Sequence, residues 1–118
     1  MQDLNAAGPV GLTQGDPAGI GPDITIAAWL RRHERGLPPF LYIGDPVVLA
    51  ERARLLDTEI RIRETDAAGA ASVFGDAIPV LPVKAGTDVR AGHPDPQTAA
   101  GTIGAIETAV SLCLQGAL

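Results

Sequence analysis

Aromatic residues and cysteine are scarce in this chain. Aromatic side chains make up 3% of its 118 residues, so a core must be built from Ala, Val, Ile and Leu, which pack well between helices and parallel strands. The single cysteine, Cys113, excludes a disulfide or a cysteine-rich metal site within one chain. It favours a reducing compartment, so we expect a cytoplasmic protein. Because Cys113 lies on the apolar side of a predicted helix, we expect a buried, unreactive thiol.

The chain also lacks the features of nucleic-acid-binding, secreted and membrane proteins. Its net charge is -5, and it has no cluster of lysine and arginine, which argues against a nucleic-acid partner. Residues 1–8 have no basic segment followed by a long apolar core, so they do not resemble a signal peptide. No apolar run reaches the roughly 18 residues that a membrane span needs. We therefore expect neither a nucleic-acid nor a membrane partner.

One stretch, Thr13–Asp23, has a composition suited to ligand binding. It reads Thr-Gln-Gly-Asp-Pro-Ala-Gly-Ile-Gly-Pro-Asp, and its three glycines let the backbone turn sharply and approach a ligand. Pro22 suits the first position of a helix, and the free N–H groups of a first turn attract anions. Asp16 and Asp23 would repel a bare anion unless a metal, a hydroxyl or a cationic ring lies between them. A polyol or a nicotinamide is therefore as compatible with this loop as a phosphate.

Apolar patterns along the rest of the chain predict alternating strands and helices. Strands are predicted at 9–12, 40–43, 59–64 and 77–83, helices at 22–35, 46–57 and 96–115, and loops at 66–72 and 84–94. The alternation in 59–64 predicts a strand near a sheet edge, and the two prolines in 77–83 confine that strand to an edge or to irregular structure. The order implies an α/β domain with a mostly parallel sheet covered by helices on both faces. Ligands bind such sheets beyond the carboxyl ends of the strands, where the glycine-rich stretch would lie.

Individual residues outside that stretch leave alternatives open. Gly101 and Gly104 lie inside the last predicted helix, where each costs about 1 kcal/mol relative to alanine, so we expect another backbone or a ligand to approach closely there. His33 is predicted to be a solvated helix position. His93 falls in a loop that either approaches a site or does not, and we assign neither histidine as a ligand. Asp45 is expected to cap the helix that begins at Pro46.

The stretch 13–23 resembles the amino-terminal signature of the 4-hydroxythreonine-4-phosphate dehydrogenases of vitamin B6 biosynthesis. That signature is a threonine, one variable residue, and then Gly-Asp/Glu-Pro-Ala-Gly-Ile-Gly-Pro-Asp/Glu, and the layout of the remaining strands and helices agrees with it more loosely. The stretch is also similar to the Gly-Asp-Gly-Ile-Gly-Pro-Glu loop of isocitrate and isopropylmalate dehydrogenases, so the resemblance implies their fold. It further implies that residues 1–118 are the amino-terminal part of an α/β domain, with the remainder of the enzyme absent.

The resemblance implies an NAD-dependent, metal-assisted oxidation of 4-phosphohydroxy-L-threonine, followed by loss of CO₂, in pyridoxal phosphate biosynthesis. The loop would then be one wall of a cleft for cofactor and phosphorylated substrate. The implied cofactor-binding residues are Thr13, Gly15, Asp16, Gly19, Ile20 and Gly21. No catalytic or metal-binding residue is assigned within the chain. The resemblance places a divalent metal (Zn, Mg or Co) on histidines outside this chain, contributed by both subunits of a homodimer.

Other interpretations remain beside this one. The Asp16 side chain either stabilises the turn by hydrogen-bonding its own backbone or faces the ligand. Thr13 either caps the loop or hydrogen-bonds the ligand. The chain is either part of a dehydrogenase subunit or a small α/β module that binds a ligand without catalysis. Relatives with the same signature oxidise other phosphorylated hydroxy acids or dihydrodiols. An incomplete parallel sheet leaves strand edges unpaired, so we expect the isolated chain to self-associate or aggregate.

Overall fold

The structure is a computed structural model that describes residues 8–118, so the prediction for residues 1–7 lies outside the described residues. Strands and helices alternate in the order β1 (Val10–Thr13), α1 (Gly21–Leu30), β2 (Phe40–Gly44), α2 (Pro46–Leu55), β3 (Ile62–Glu64), α3 (Ala70–Phe74), β4 (Ile78–Pro82) and α4 (Ala99–Leu114), with a 3-10 turn at Pro96–Thr98. All strand pairs are parallel and the sheet order is β1-β2-β4-β3. The predicted α/β class is confirmed. Within residues 8–118, no helix has the length and apolar character that crossing a membrane requires.

Helices cover both faces of the sheet, as predicted. Strand β2 is buried along its whole length, and its successive side chains point to opposite faces. Phe40 and Tyr42 pack with residues of α1 and α2, which include Trp29. Leu41 and Ile43 pack on the other side, against α4 and the start of α3. Trp29 and Tyr42, expected in the core or at an interface, are therefore core residues.

Strand β4 lies inside the sheet, between β2 and β3, so the prediction that its prolines confine it to an edge is wrong. Ile78 and Val80 form their backbone hydrogen bonds with the β3 side. Pro79 therefore turns its nitrogen toward β2, whose pairing with β4 starts one residue later, at Val80 opposite Tyr42. Pro82 lies beyond the last β3 pair. Each missing N–H donor thus falls outside the paired register of the strand that it faces. Strand β3 does lie at an edge, as predicted.

A short helix, α3, forms where the sequence predicts a loop, so that prediction is wrong for residues 70–72. The helix is held by tertiary contacts: the indole N–H of Trp29 donates to the carbonyl of Phe74 at 2.8 Å. The Phe74 ring also meets Phe40 edge to face, with ring centroids 4.8 Å apart. The helix α1 is shorter than predicted and ends at Leu30.

Helix α4 turns its smallest residues inward. Gly101 and Ala105 are buried, whereas four large apolar residues on the opposite side are exposed and form what we call the outer stripe: Ile103, Ile106, Val110 and Leu114. A Cβ at Gly101 would overlap the Lys84 carbonyl oxygen, which confirms the expected close approach of another backbone. At Gly104 a Cβ would meet only the Val83 side chain, at 3.6 Å. Cys113 is exposed, so the prediction of a buried thiol is wrong.

Candidate functional site

The glycine loop, residues 14–20, leaves the carboxyl end of β1 and leads into α1. Its first residue, Gln14, is buried and continues the β1–β2 ladder by donating its N–H to Ile43 O at 3.1 Å. The Gln14 side chain lies over Gly44, where a Cβ would come within 2.6 Å of Gln14 Oε1. That oxygen accepts the Asp45 N–H at 3.0 Å. The side chain of Gln14 therefore joins the ends of β1 and β2 beneath the loop.

Asp16 shapes the turn of the glycine loop. Its Oδ1 accepts the Ala18 N–H at 2.9 Å, and its carbonyl accepts the Gly19 N–H at 2.9 Å. Gly15 adopts a positive φ of 66°, which favours glycine. Of the two roles left open for Asp16, the structure supports turn stabilisation, which leaves its second carboxylate oxygen and its exposed flank available to a ligand.

Arg52 of α2 binds two backbone carbonyls of the glycine loop. The sequence did not predict this role. The Arg52 side chain is 5% exposed. Nη1 donates to Gly19 O at 2.7 Å and to Asp23 Oδ2 at 3.2 Å, and Nη2 donates to Pro17 O at 2.8 Å. One feature of the sequence could have indicated this role: Arg52 falls at a core-facing position of α2. A buried charge needs hydrogen-bond acceptors, so contacts of this kind are expected there. The helical spacing alone gave no indication of which acceptors those would be.

Four of the six predicted cofactor-binding residues offer free backbone donors. The N–H groups of Gly15, Asp16, Ile20 and Gly21 donate to no protein acceptor among residues 8–118. The N–H of Gly19 is occupied by Asp16, and Thr13 lies exposed at the end of the edge strand β1. The structure thus brings the six residues together in one continuous segment. Unpaired N–H groups at the start of a helix favour an anionic or oxygen-rich ligand.

A cleft of about 490 Å³ opens beside the loop. Asp16 lines one side of it, and the start of α4, with Thr98 and Thr102, lines the other. The Thr102 hydroxyl lies within hydrogen-bond distance of Gly15 O on the opposite side, at 3.3 Å, and of Thr98 O in its own helix, at 3.2 Å. Outside the cleft, the Gly92 N–H joins residues 84–94 to the glycine loop by donating to Ala18 O at 2.8 Å. A larger cavity of about 770 Å³ lies between α2 and residues 82–91, and none of the six predicted residues lines it. One of the six, Asp16, lines the smaller cleft, which is therefore the candidate site and which we call the loop cleft.

Curated relatives identify the family. No protein-family model matches the chain. The 4-hydroxythreonine-4-phosphate dehydrogenase of Bradyrhizobium diazoefficiens is 44% identical over 115 residues, which cover 91% of this chain and 33% of the relative. That of Methylorubrum populi is 45% identical over 111 residues, covering 92% and 32%. The chain belongs to the 4-hydroxythreonine-4-phosphate dehydrogenase family. It spans about a third of the length of these relatives.

Solved structures of this dehydrogenase family share the fold. The enzyme from Burkholderia phymatum superposes with a TM-score of 0.84 at 23% identity, covering 97% of this chain and 35% of that one. The enzyme from Klebsiella pneumoniae has a TM-score of 0.75 at 28% identity, covering 95% and 35%. A terephthalate 1,2-cis-dihydrodiol dehydrogenase from Burkholderia xenovorans has a TM-score of 0.70 at 23% identity, covering 95% and 32%, which is a likeness of fold.

Metal ligands are not gathered in the part of this family member that the structure describes. Among residues 8–118, no group of three His, Cys, Asp or Glu side chains is placed to hold an ion. His33 is exposed after the end of α1, as expected for a solvated position. His93 is also exposed, with its Nδ1 3.0 Å from Ala91 O in the same loop. Neither histidine lines the loop cleft.

Among the titratable groups near the site, the Tyr42 hydroxyl has the pKa that the fold changes most. Burial raises the pKa of Tyr42 well above its ordinary value, and the nearby Arg52 cation only partly offsets that increase. The hydroxyl oxygen lies 3.4 Å from Gln14 Oε1. Tyr42 is therefore a neutral donor beneath the loop at any physiological pH, and it contributes no charge to the site.

Proposed function

We propose that this chain forms the loop wall of the cofactor and substrate cleft in an NAD-dependent oxidoreductase that acts on 4-hydroxythreonine-4-phosphate. The observation that carries the proposal is the set of unpaired backbone N–H groups at Gly15, Asp16, Ile20 and Gly21, on a hydrogen-bonded turn at the carboxyl end of β1. In parallel α/β sheets that is the place where ligands bind. The names of the curated relatives support both the dehydrogenase class and the substrate.

The loop residues would bind and orient the ligand. The N–H groups of Ile20 and Gly21 stand at the positive end of α1 and can donate to a phosphate, a carboxylate or a ribose hydroxyl. The exposed flank of Asp16 can accept a hydroxyl or lie against the cationic ring of oxidised nicotinamide. Thr98 and Thr102 border the opposite side of the loop cleft. The Asp16 carboxylate disfavours a bare anion directly beside it, which directs a phosphate toward the α1 end of the loop.

NAD and a divalent metal (Zn, Mg or Co) would supply the hydride acceptor and the polarisation of the alcohol oxygen, and the oxidised β-keto acid would then lose CO₂. The described residues offer no ligand set for such a metal. We therefore propose that the metal is bound by residues outside this chain, in a homodimer in the cytoplasm that takes part in pyridoxal phosphate biosynthesis. In this proposal, residues 8–118 bind and orient the cofactor and the substrate.

A second candidate function is ligand binding without turnover. The observation behind it is that the described residues offer no metal-ligand cluster. Other phosphorylated hydroxy acids and dihydrodiols are alternative substrates of the enzymatic proposal. The dihydrodiol alternative is compatible with the fold, which the chain shares with a dihydrodiol dehydrogenase.

A titration followed by amide chemical shifts in heteronuclear NMR tests the proposal. We expect NAD and 4-phosphohydroxy-L-threonine to shift the amides of Gly15, Asp16, Ile20 and Gly21 and to leave the remote Gly36 and Gly116 unchanged. Absence of shifts in the loop at millimolar ligand would overturn the proposal. An NADH absorbance assay with added Mg²⁺, Zn²⁺ or Co²⁺ is then made on the full-length Bradyrhizobium diazoefficiens relative in which residues 8–118 of this chain replace the matching segment. It separates the two candidates, because only the enzymatic one produces NADH.

A further inference from the structure

We propose that Arg52 is a positioning residue that sets the direction of the unpaired N–H of Ile20, where the glycine loop enters α1, by holding two carbonyls of that loop. The inference rests on the proposed function, because it concerns how the loop presents donors to its ligand. Neither Arg52 nor Ile20 lines the loop cleft, which Asp16 borders from the same loop. Arg52 therefore acts on a ligand of the loop through the loop backbone.

The geometry of the two peptide planes carries the argument. Arg52 Nη2 holds Pro17 O at 2.8 Å, and Nη1 holds Gly19 O at 2.7 Å. In a trans peptide the C=O and the following N–H point in opposite directions. The N–H groups of Ala18 and Ile20 therefore point away from Arg52. The Ala18 N–H meets Asp16 Oδ1 at 2.9 Å, whereas the Ile20 N–H meets no protein acceptor among residues 8–118.

Arg52 also prevents an alternative use of the Gly19 carbonyl. In a helix that began one residue earlier, Gly19 O would accept the N–H of Asp23. In the structure α1 begins at Gly21, the first helical carbonyl bond runs from Ile24 N–H to Ile20 O, and Gly19 O is held by Arg52. Without that contact the Gly19–Ile20 peptide plane is less restrained, because glycine imposes little steric restriction on the ψ of residue 19. The direction of the Ile20 N–H would then no longer be fixed.

Arginine is suited to this task in a way that lysine is not. The planar guanidinium presents several N–H donors in a fixed fork, and here the fork spans two carbonyls that are two residues apart, with Asp23 as a third acceptor. A lysine ammonium carries its donors on one atom and cannot hold both carbonyls in the same directions. Arg54, two residues further along α2, provides a natural control because it is exposed and pairs with Glu51.

The test compares Arg52→Met, which removes the donors at similar length, with Arg52→Lys and the control Arg54→Met. Hydrogen exchange of the loop amides and NAD affinity by amide shifts are measured well below the melting temperature. We expect Arg52→Met to accelerate exchange in residues 15–21 and to weaken NAD binding by about tenfold, the loss of one charge-assisted contact or its equivalent. Arg52→Lys is expected to be intermediate, and Arg54→Met to match the wild type. Unchanged loop exchange in Arg52→Met would overturn the proposal.

Asp23→Asn separates two effects of Arg52: its hydrogen bonds to the loop carbonyls and its ion pair with Asp23. This variant removes the carboxylate charge but leaves both loop carbonyls on Arg52, so we expect loop exchange and NAD affinity within about twofold of wild type. An effect as large as that of Arg52→Met would overturn the proposal. If Arg52→Met does not fold, Arg52→Lys decides in the same way: faster exchange confined to the loop supports the proposal, and wild-type exchange refutes it. A wild-type chain that binds no NAD, but whose loop exchange still responds to Arg52, refutes the proposed function and retains the control of the loop.

Discussion

The side-chain oxygen of Gln14 accepts the backbone N–H of Asp45 at 3.0 Å, which ties the end of β1 to the start of α2. Asp45 in turn caps α2 by accepting the Val47 N–H through Oδ1 at 2.9 Å, which confirms the predicted cap. Its other oxygen, Oδ2, accepts the Ala85 N–H just after β4, also at 2.9 Å. The carboxyl ends of three strands are therefore joined through one aspartate. The glycine loop begins at this junction, with Gln14 as its first residue.

Replacing Gln14 with alanine should destabilise the chain markedly. The side chain is fully buried, and its loss leaves the Asp45 N–H without its acceptor and a cavity above Gly44. We expect a decrease in the free energy of unfolding of about 2 to 4 kcal/mol, measured by urea denaturation. The matched control is the exposed Gln115, which follows α4 and donates to the Ser111 hydroxyl in its last turn. Gln115→Ala should change stability by less than about 0.5 kcal/mol. Equal effects of the two substitutions would contradict this account.

The two glycines of α4 should respond in opposite directions to alanine. At Gly101 the added Cβ would overlap Lys84 O and come within 3.1 Å of the Ala85 Cα, which are backbone atoms with little freedom to move. We expect Gly101→Ala to destabilise by about 1 to 3 kcal/mol. At Gly104 the new methyl meets only a Val83 methyl at 3.6 Å, so Gly104→Ala should stabilise by up to about 1 kcal/mol through helix propensity. Thermal melts of both variants check this, and a stabilising Gly101→Ala would show that α4 can move away from residue 84.

Tyr42 should make stability fall at high pH. Because burial raises its pKa in the folded state, the unfolded chain loses this proton first, near pH 10. The stabilisation is complete below that pH and is lost progressively as the pH rises toward the folded pKa. We expect Tyr42→Phe to show a smaller loss of unfolding free energy between about pH 9 and 11 than the wild type.

The single tyrosine of the chain makes that prediction directly observable. Tyrosinate absorbance should remain low in the folded protein at a pH where the urea-unfolded chain has ionised. Tyr42→Phe also removes the 3.4 Å contact with Gln14, so the comparison uses the slope with pH rather than the stability at one pH. Ionisation of the folded protein at the ordinary tyrosine pKa would contradict the burial argument.

Local signals in the sequence predicted the loop and its flanks, because glycine, proline and capping aspartate act on the backbone within a few residues. Asp45–Pro46 and the helix entry at Pro22 are of this kind, and both are confirmed. The contact of Arg52 with Gly19 joins residues 33 positions apart. No local pattern specifies such a partner. The interior position of β4 was missed for a similar reason, since the effect of a proline depends on which neighbour its nitrogen faces.

Helix α4 illustrates a different limit. Its periodicity predicted a helix, but both of its sides are apolar, one with large residues and one with small ones. The usual assumption that large apolar residues face inward fails for most of this helix, because the close approach of residues 84–85 leaves room only for a glycine at position 101. Ala105 packs with Leu41 and Ile43, and Leu112 is the large residue of α4 that packs on this inner side. The outer stripe and Cys113 are exposed as a result. Burial at this helix was thus decided by backbone proximity rather than by hydrophobicity.

The exposed outer stripe predicts self-association of the isolated chain. Its four residues, Ile103, Ile106, Val110 and Leu114, are 55%, 48%, 52% and 84% exposed, and a contiguous apolar surface of this kind promotes association in water. The sequence suggested another cause, the unpaired edges of the sheet, which the structure assigns to β1 and β3. The two causes can be separated, because the stripe lies on side chains and the edges on backbone groups.

The double variant Ile106→Glu with Val110→Lys makes the stripe polar without changing net charge, and its spacing gives a favourable ion pair along the helix. We expect the wild type to sediment as species larger than a monomer and the double variant to sediment mainly as a monomer, measured by analytical ultracentrifugation. Leu55→Glu, at a residue of α2 that is also 55% exposed, is the control and should associate like the wild type. If the double variant still associates, the strand edges rather than the stripe are responsible, because the substitution leaves every backbone donor and acceptor of β1 and β3 in place.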